Sequence, residues 1–205
     1  MSHTLASLRA QLNGLRPARG LTALAFASML WGCAAPNVGG PAEKGFSLWS
    51  PGRADNAMLD KQFAGALKTN PNCLGENVSP SLAWTRPPAG TRSFAILFDD
   101  QAGRAGLGVN HWVGYGLPAN LTSLAEGQAS VATTAWTAGK NTVGNLVYLG
   151  PCPPRGNAPQ HYVFTLIATS VEPAALPAGL NKSELLDALR GKTLGAASQV
   201  FRYAH

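Results

Sequence analysis

Cysteine and histidine are scarce in this chain, with three and four copies in 205 residues. Neither Cys73 nor Cys152 has a Cys or His neighbour at zinc-like spacing, so a structural metal has no support. No window gathers five basic residues or interleaves them with aromatics, which removes the footprint of a nucleic-acid binder. Internal repeats are absent. The G-x-S-x-G and H-E-x-x-H signatures of common hydrolases are absent too. No apolar run reaches the roughly 20 residues needed to cross a bilayer.

What the N-terminus does carry is an export pattern. Arg9, Arg16 and Arg19, with no acidic residue among them, precede the compact apolar run LTALAFASMLW at residues 21–31. A charged region followed by a short apolar one reads as a secretory signal over residues 1–32. The end of the run, Leu30-Trp31-Gly32-Cys33, is similar to the lipobox of bacterial lipoproteins. The Cys33 thiol is the group that would take a thioether-linked diacylglycerol. Trp31 stands where that motif usually has a small residue, and cleavage after Ala34 or Ala35 by an ordinary signal peptidase is the alternative. Ala34, following the cysteine in place of Asp, favours the outer membrane.

Residues 33–44, with Pro36, Gly39, Gly40 and Pro41, read as a flexible spacer. Residues 45–205 are one domain's worth of chain, enough to bury a substantial core. Without the signal, 13 basic residues face 10 acidic ones, a weak net charge that points to no polyanionic partner. An oxidising compartment favours a bridge between Cys73 and Cys152, with two separate buried thiols as the other reading.

The domain is patterned for strands. Residues 46–49 (FSLW), 82–84 (LAW), 93–98 (SFAILF), 111–115 (HWVGY) and 162–168 (YVFTLIA) are rich in β-branched and aromatic side chains. Gly and Pro punctuate the connections, so the expected fold is mainly β, an antiparallel β-sandwich. One helix is expected after Asn181, whose side chain can form a capping box with Glu184. Leu185, Leu186 and Leu189 form its apolar stripe, and Gly191 offers a left-handed stop. Residues 194–198 are expected to form a second short helical piece before a last strand at 200–203.

Four segments stand in a recognisable order. They are Gly75-Glu76-Asn77-Val78-Ser79-Pro80, Phe98-Asp99-Asp100, His111-Trp112-Val113, and Gly150-Pro151-Cys152-Pro153-Pro154-Arg155-Gly156 leading to His161-Tyr162-Val163-Phe164. With the element from Glu184 to Gly191, the chain resembles the phosphatidylethanolamine-binding protein family, in its bacterial, Raf-kinase-inhibitor-like branch. The resemblance covers residues 45–205. It implies a sandwich built on a large antiparallel sheet, with a small surface pocket for phosphate-like or carboxylate-like anions, phospholipid headgroups included. The pocket positions fall on Asp100, His111, Pro153, Pro154 and Tyr162, and the disulfide of exported members falls on Cys73 and Cys152.

The chain departs from that family's pattern at several places. Its acidic loop reads Asp100-Gln101-Ala102 where the family has Asp-Pro-Asp, and residues 103–108 are Gly-rich. The aromatic that often precedes the pocket histidine is missing at Val109-Asn110. Gln160 replaces a second pocket histidine; it can donate from its amide but cannot charge. His161, one residue along a strand, points to the opposite face.

Each residue also has a plainer role open to it. Asp100 can cap a turn, His111 can be a hydrogen-bonded structural residue, and Tyr162 can be core. Pro153 and Pro154 can simply shape their loop, and Trp49, Trp84, Trp112 and Trp136 read as packing. The leading function is a non-catalytic binding protein without a cofactor, holding a small anion or phospholipid headgroup. It would be tethered in the bacterial envelope through Cys33, facing the periplasm. The alternatives are a structural envelope protein with a vestigial pocket, and a hydrolase using His111 with Asp100. Inhibition of a kinase or protease rests on analogy alone, and no residue here names a protein partner.

Overall fold

A strand whose odd and even side chains are both apolar must be covered on both faces. Residues 93–98 are such a stretch, and the rest of the architecture follows from them. The computed structural model describes residues 39–42 and 44–205; the expected signal, Cys33 and most of the spacer lie outside the described residues.

In chain order the strands are β1 (Ser47–Trp49), β2 (Ala57–Met58), β3 (Leu82–Thr85), β4 (Ser93–Asp100), β5 (Val109–Pro118), β6 (Ser123–Leu124), β7 (Thr137–Ala138), β8 (Gln160–Thr169) and β9 (Thr193–Tyr203). One α-helix, α1 (Lys182–Leu189), lies between the last two. Six strands form a large sheet in the order β2-β9-β8-β4-β5-β7, and β1-β3-β6 form a small one. All pairs are antiparallel except the edge pair β2–β9, which is parallel.

β4 is buried along its whole length. Phe94, Ile96 and Phe98 join Phe164, Leu166 and Phe201 of the large sheet against Leu48, Leu82, Trp84 and Leu124 of the small one. Each such side chain contributes about 1.5–3 kcal/mol by leaving water. Ala95 and Leu97 face the other way, where Val113, Tyr115 and Ile167 meet Leu185 and Leu189 of α1. The result is three layers, small sheet on large sheet on helix, which is the expected sandwich with its helical appendage. Trp84, Trp112 and Trp136 are buried as packing, and Trp49 is half-buried.

The capping box forms as the sequence predicts. Glu184 N donates to Asn181 Oδ1 at 3.1 Å, and Asn181 N donates to Glu184 Oε2 at 2.9 Å. Gly191 takes the left-handed conformation. Two expectations fail. Leu186 is exposed rather than part of the buried stripe, because only Leu185 and Leu189, one turn apart, point at the sheet. Residues 194–198 are strand, not helix: they pair with β8 across Ser198–Thr165 to Gly195–Ala168. A ready-made edge of hydrogen-bonding groups outweighs the local helix preference of two alanines.

Candidate ligand-binding site

The site is built at the end of β4, where the register with β5 slips. Phe98 pairs with Trp112 and Asp99 pairs with Asn110, which leaves His111 as the extra residue of a β-bulge. A bulge re-aims the side chain it carries. His111 is thereby brought onto the same side as its neighbour Trp112, with its ring 5.4 Å from those of both Phe98 and Tyr162. Asn110 fills the gap in the ladder. Its amide donates to the Trp112 carbonyl and to Asp99 Oδ1, each at 3.1 Å, and to the Phe98 carbonyl at 3.3 Å.

The backbone of His111 is held from the opposite loop. Its carbonyl accepts from Leu149 N at 3.1 Å and from Asn141 Nδ2 at 2.9 Å. Its ring nitrogen Nδ1 lies 2.9 Å from the Leu149 carbonyl. A carbonyl only accepts, so Nδ1 carries the proton and neutral His111 leaves Nε2 as a bare acceptor. Nε2 is fully buried and has no hydrogen-bond partner among the described residues. Burial lowers the His111 pKa below its ordinary 6.5, while the Leu149 carbonyl and the charges of Asp100 and Asp99 pull the other way.

Leu149 is itself clamped, by a residue 72 positions earlier in the chain. Asn77, in the left-handed region at φ 59°, donates from Nδ2 to the Tyr148 carbonyl at 2.9 Å, and its Oδ1 accepts from Gly150 N at 2.8 Å. The side chain therefore grips the backbone on both sides of the carbonyl that orients His111. Sequence reasoning singled out Gly75 to Pro80 as a motif without giving Asn77 this task.

Asp100 caps a turn and stands at the cavity. Its Oδ1 accepts from Ala102 N at 2.9 Å and Gly103 N at 3.0 Å, capping the turn, and the buried carboxylate also borders the cavity with His111. Asp99, on the other face of the strand, is paired with Lys182 at 2.9 Å. Tyr162 is fully buried, and its hydroxyl donates to Gln160 Oε1 at 3.2 Å. Burial raises its pKa far above the usual 10, with the nearby Asp100 charge adding to the effect.

The cavity measures about 430 Å³. Of the residues that the sequence nominates, Asp100, His111, Pro154 and Gln160 line it. Pro153 and Tyr162 do not: both are buried, Tyr162 packed against the His111 ring. His161 is exposed, as expected from the strand period. Cys73 and Cys152 are bridged, and Cys152 forms part of the cavity wall. Gly65 sits so tightly on Cys152 Sγ that any Cβ there would collide with the sulfur. The roof is the loop after β4, where Arg104 (φ 51°, ψ 45°) and Ala105 (φ 56°, ψ 40°) are both left-handed. Two such residues in succession cost about 1–2 kcal/mol each.

Comparison with known proteins follows the same outline. The family model described as Phosphatidylethanolamine-binding protein matches residues 49–204. The chain is similar to the UPF0098 protein of Aquifex aeolicus, 32% identical over 161 residues that span 77% of this chain and 94% of that protein. It is 34% identical over 164 residues to LppC of Mycobacterium tuberculosis, which is named as a candidate lipoprotein; the match covers 78% of this chain and 73% of LppC. Among solved structures, Escherichia coli YbcL, described as a new member of the mammalian PEBP family, superposes with a TM-score of 0.70. The two are 27% identical, over 78% of this chain and 98% of YbcL.

Proposed function

Because the chain belongs to the phosphatidylethanolamine-binding protein family, we propose that it is a non-catalytic binding protein whose cavity holds a small phosphate-like or carboxylate-like anion. The observation that carries this reading is His111, bordering the cavity with one ring nitrogen pledged to a carbonyl and the other unpartnered. Gln160 adds a free amide donor, since only its oxygen is engaged by Tyr162.

The lining favours this reading over the hydrolase alternative. Thr142 is the one hydroxyl residue bordering the cavity among the described residues, and its oxygen accepts from Asn110 N rather than facing a base. Cys152 is bridged, and no group of three or more metal-binding side chains occurs among the described residues. A nucleophile beside the histidine would be needed for covalent chemistry.

Proton linkage makes the binding proposal testable. Neutral His111 presents an acceptor, which repels an anion; protonated His111 presents a donor, which attracts one. Burial favours the neutral form, so an anion is held at the expense of taking up a proton. Affinity should therefore rise as pH falls from 7.5 to 5.5, by up to about tenfold per unit above the folded-state pKa. Acetate, ionised throughout this range, is titrated into the purified full-length protein while the His111 ring signals are followed by NMR. A saturable shift at millimolar ligand, tighter at the lower pH, is expected. No saturable shift at either pH overturns the proposal and leaves a scaffold with a vestigial pocket.

The envelope location rests on the export pattern and the Leu30-to-Cys33 motif, and the likeness to LppC supports it. Replacing Cys33 by serine should abolish incorporation of a labelled fatty acid in bacteria. Undiminished labelling of that variant would exclude the anchor.

A further inference from the structure

The chemistry around the cavity is more specific than a generic anion site. Arg104 is the one Lys or Arg side chain that borders it among the described residues, and it makes no ion pair or side-chain hydrogen bond with any of them. It stands in the left-handed turn of the roof. Strained backbone of this kind persists where the surrounding structure requires it and is concentrated at ligand clamps. A guanidinium placed there can meet a phosphate or carboxylate with two parallel hydrogen bonds.

An ammonium group, in contrast, has little to bind. Asp100 is the only carboxylate at the cavity among the described residues, and one of its oxygens is committed to two backbone N–H groups. Asp99 is neutralised by Lys182. No Phe, Tyr or Trp borders the cavity among the described residues, so the aromatic cage that holds an alkylammonium is missing.

The remaining polar wall is made of amides. Asn70, Asn72, Asn157 and Gln160 all border the cavity. The side chains of Asn72 and Asn157 make no hydrogen bond with described residues, Asn70 uses only its oxygen, towards Asn72 N, and Gln160 uses only its oxygen, towards Tyr162. Asn72 and Asn157 thus offer paired donor and acceptor groups, the complement of neighbouring hydroxyls, and Asn70 and Gln160 add amide donors.

We infer that the cavity selects a hydroxylated anion, a phosphate or carboxylate carried on a polyol, over a zwitterionic aminophosphate, with Arg104 as the residue that reads the charge. This rests on the anion-site reading and deepens it. The ligand chemistry is shared by free sugar phosphates and by polyol headgroups of phospholipids.

The test titrates full-length protein with inorganic phosphate, glucose 6-phosphate and phosphorylethanolamine by calorimetry, with the His111 NMR signals as a second readout. Glucose 6-phosphate should bind at least tenfold tighter than phosphorylethanolamine. Arg104→Gln should weaken glucose 6-phosphate at least tenfold, and Asn157→Ala should weaken it while leaving inorganic phosphate unchanged. Arg104 is exposed on a loop, so its variant should keep the wild-type unfolding midpoint. Equal or tighter binding of phosphorylethanolamine, or an Arg104→Gln variant with unchanged affinity, overturns the inference while phosphate still binds. If none of the three ligands moves His111, the anion-site reading itself fails. Displacement of glucose 6-phosphate by phosphatidylglycerol vesicles, but not by phosphatidylethanolamine vesicles, supports a lipid source for the polyol; no displacement by either supports a free metabolite.

Discussion

Replacing Cys73 and Cys152 together by serine is expected to lower the free energy of unfolding by about 4–5 kcal/mol, against a total near 5–15 kcal/mol for a domain of this kind. The size of the effect comes from the span of the bridge. The two residues are 79 positions apart, and the loop they close removes much of the freedom of the unfolded chain. The loss should be read from urea unfolding monitored by tryptophan fluorescence, comparing oxidised wild type with the double variant. A difference below 1 kcal/mol would mean that the contacts around the bridge hold the two segments without it. Those contacts are real. Gly65 N donates to the Pro151 carbonyl at 2.9 Å, and Asn77 ties the same two segments through Tyr148 and Gly150. The variant should therefore lose stability without losing the fold, and its cavity should still form at low denaturant.

Truncating Phe98 to alanine should cost about 3–5 kcal/mol, the range for a large aromatic removed from a packed core. Phe98 is fully buried. Its ring stacks 4.0 Å from Phe164 and 5.3 Å from Tyr148, and lies 5.4 Å from His111 and 6.0 Å from Tyr162. Four rings lose their common neighbour when it goes. Two of them border or support the site, so the same variant should broaden the His111 ring signals and raise the hydrogen-exchange rate of the Leu149 amide. Phe98→Leu, which keeps most of the volume, should lose much less stability. Comparable losses in the two variants would show that the site around Phe98 collapses to fill the space, and that the aromatic stack carries little of the energy.

Much of this arrangement is written locally in the sequence. The alternation in residues 93–98 requires cover on both faces of one strand, and the structure supplies a sheet on one side and α1 on the other. Asn181 and Glu184 set the start of the helix by contacts three residues apart. Asp99 and Asp100 part company for the same reason of period: one faces Lys182, the other the cavity. The pairing of Cys73 with Cys152 followed from compartment and resemblance together, and the bridge is present.

What was not legible depends on partners far along the chain. A one-residue slip in strand register leaves no mark in composition, so the bulge at His111 is invisible until β4 and β5 are aligned. The task of Asn77 needs its contact with Tyr148, 71 positions away. Residues 194–198 read as helix because their small side chains say little, and the edge of β8 decides their conformation. The resemblance puts Tyr162 and Pro153 at the cavity; both are buried and outside its lining, with the Tyr162 ring packed against His111.

The bulge has a consequence for how this domain can change. Without His111, Trp112 and Asn110 would face Phe98 and Asp99 as consecutive partners, and the ladder would run regularly through this end of the strand pair. The side chain proposed to meet the ligand thus belongs to a residue that the sheet does not need. Deleting it would regularise the ladder at this point, and would take away the carbonyl that receives Leu149 N and Asn141 Nδ2 from the opposite loop. The interruption, with Asn110 spending its amide to hold the gap open, thus ties the sheet to the loop that walls the cavity.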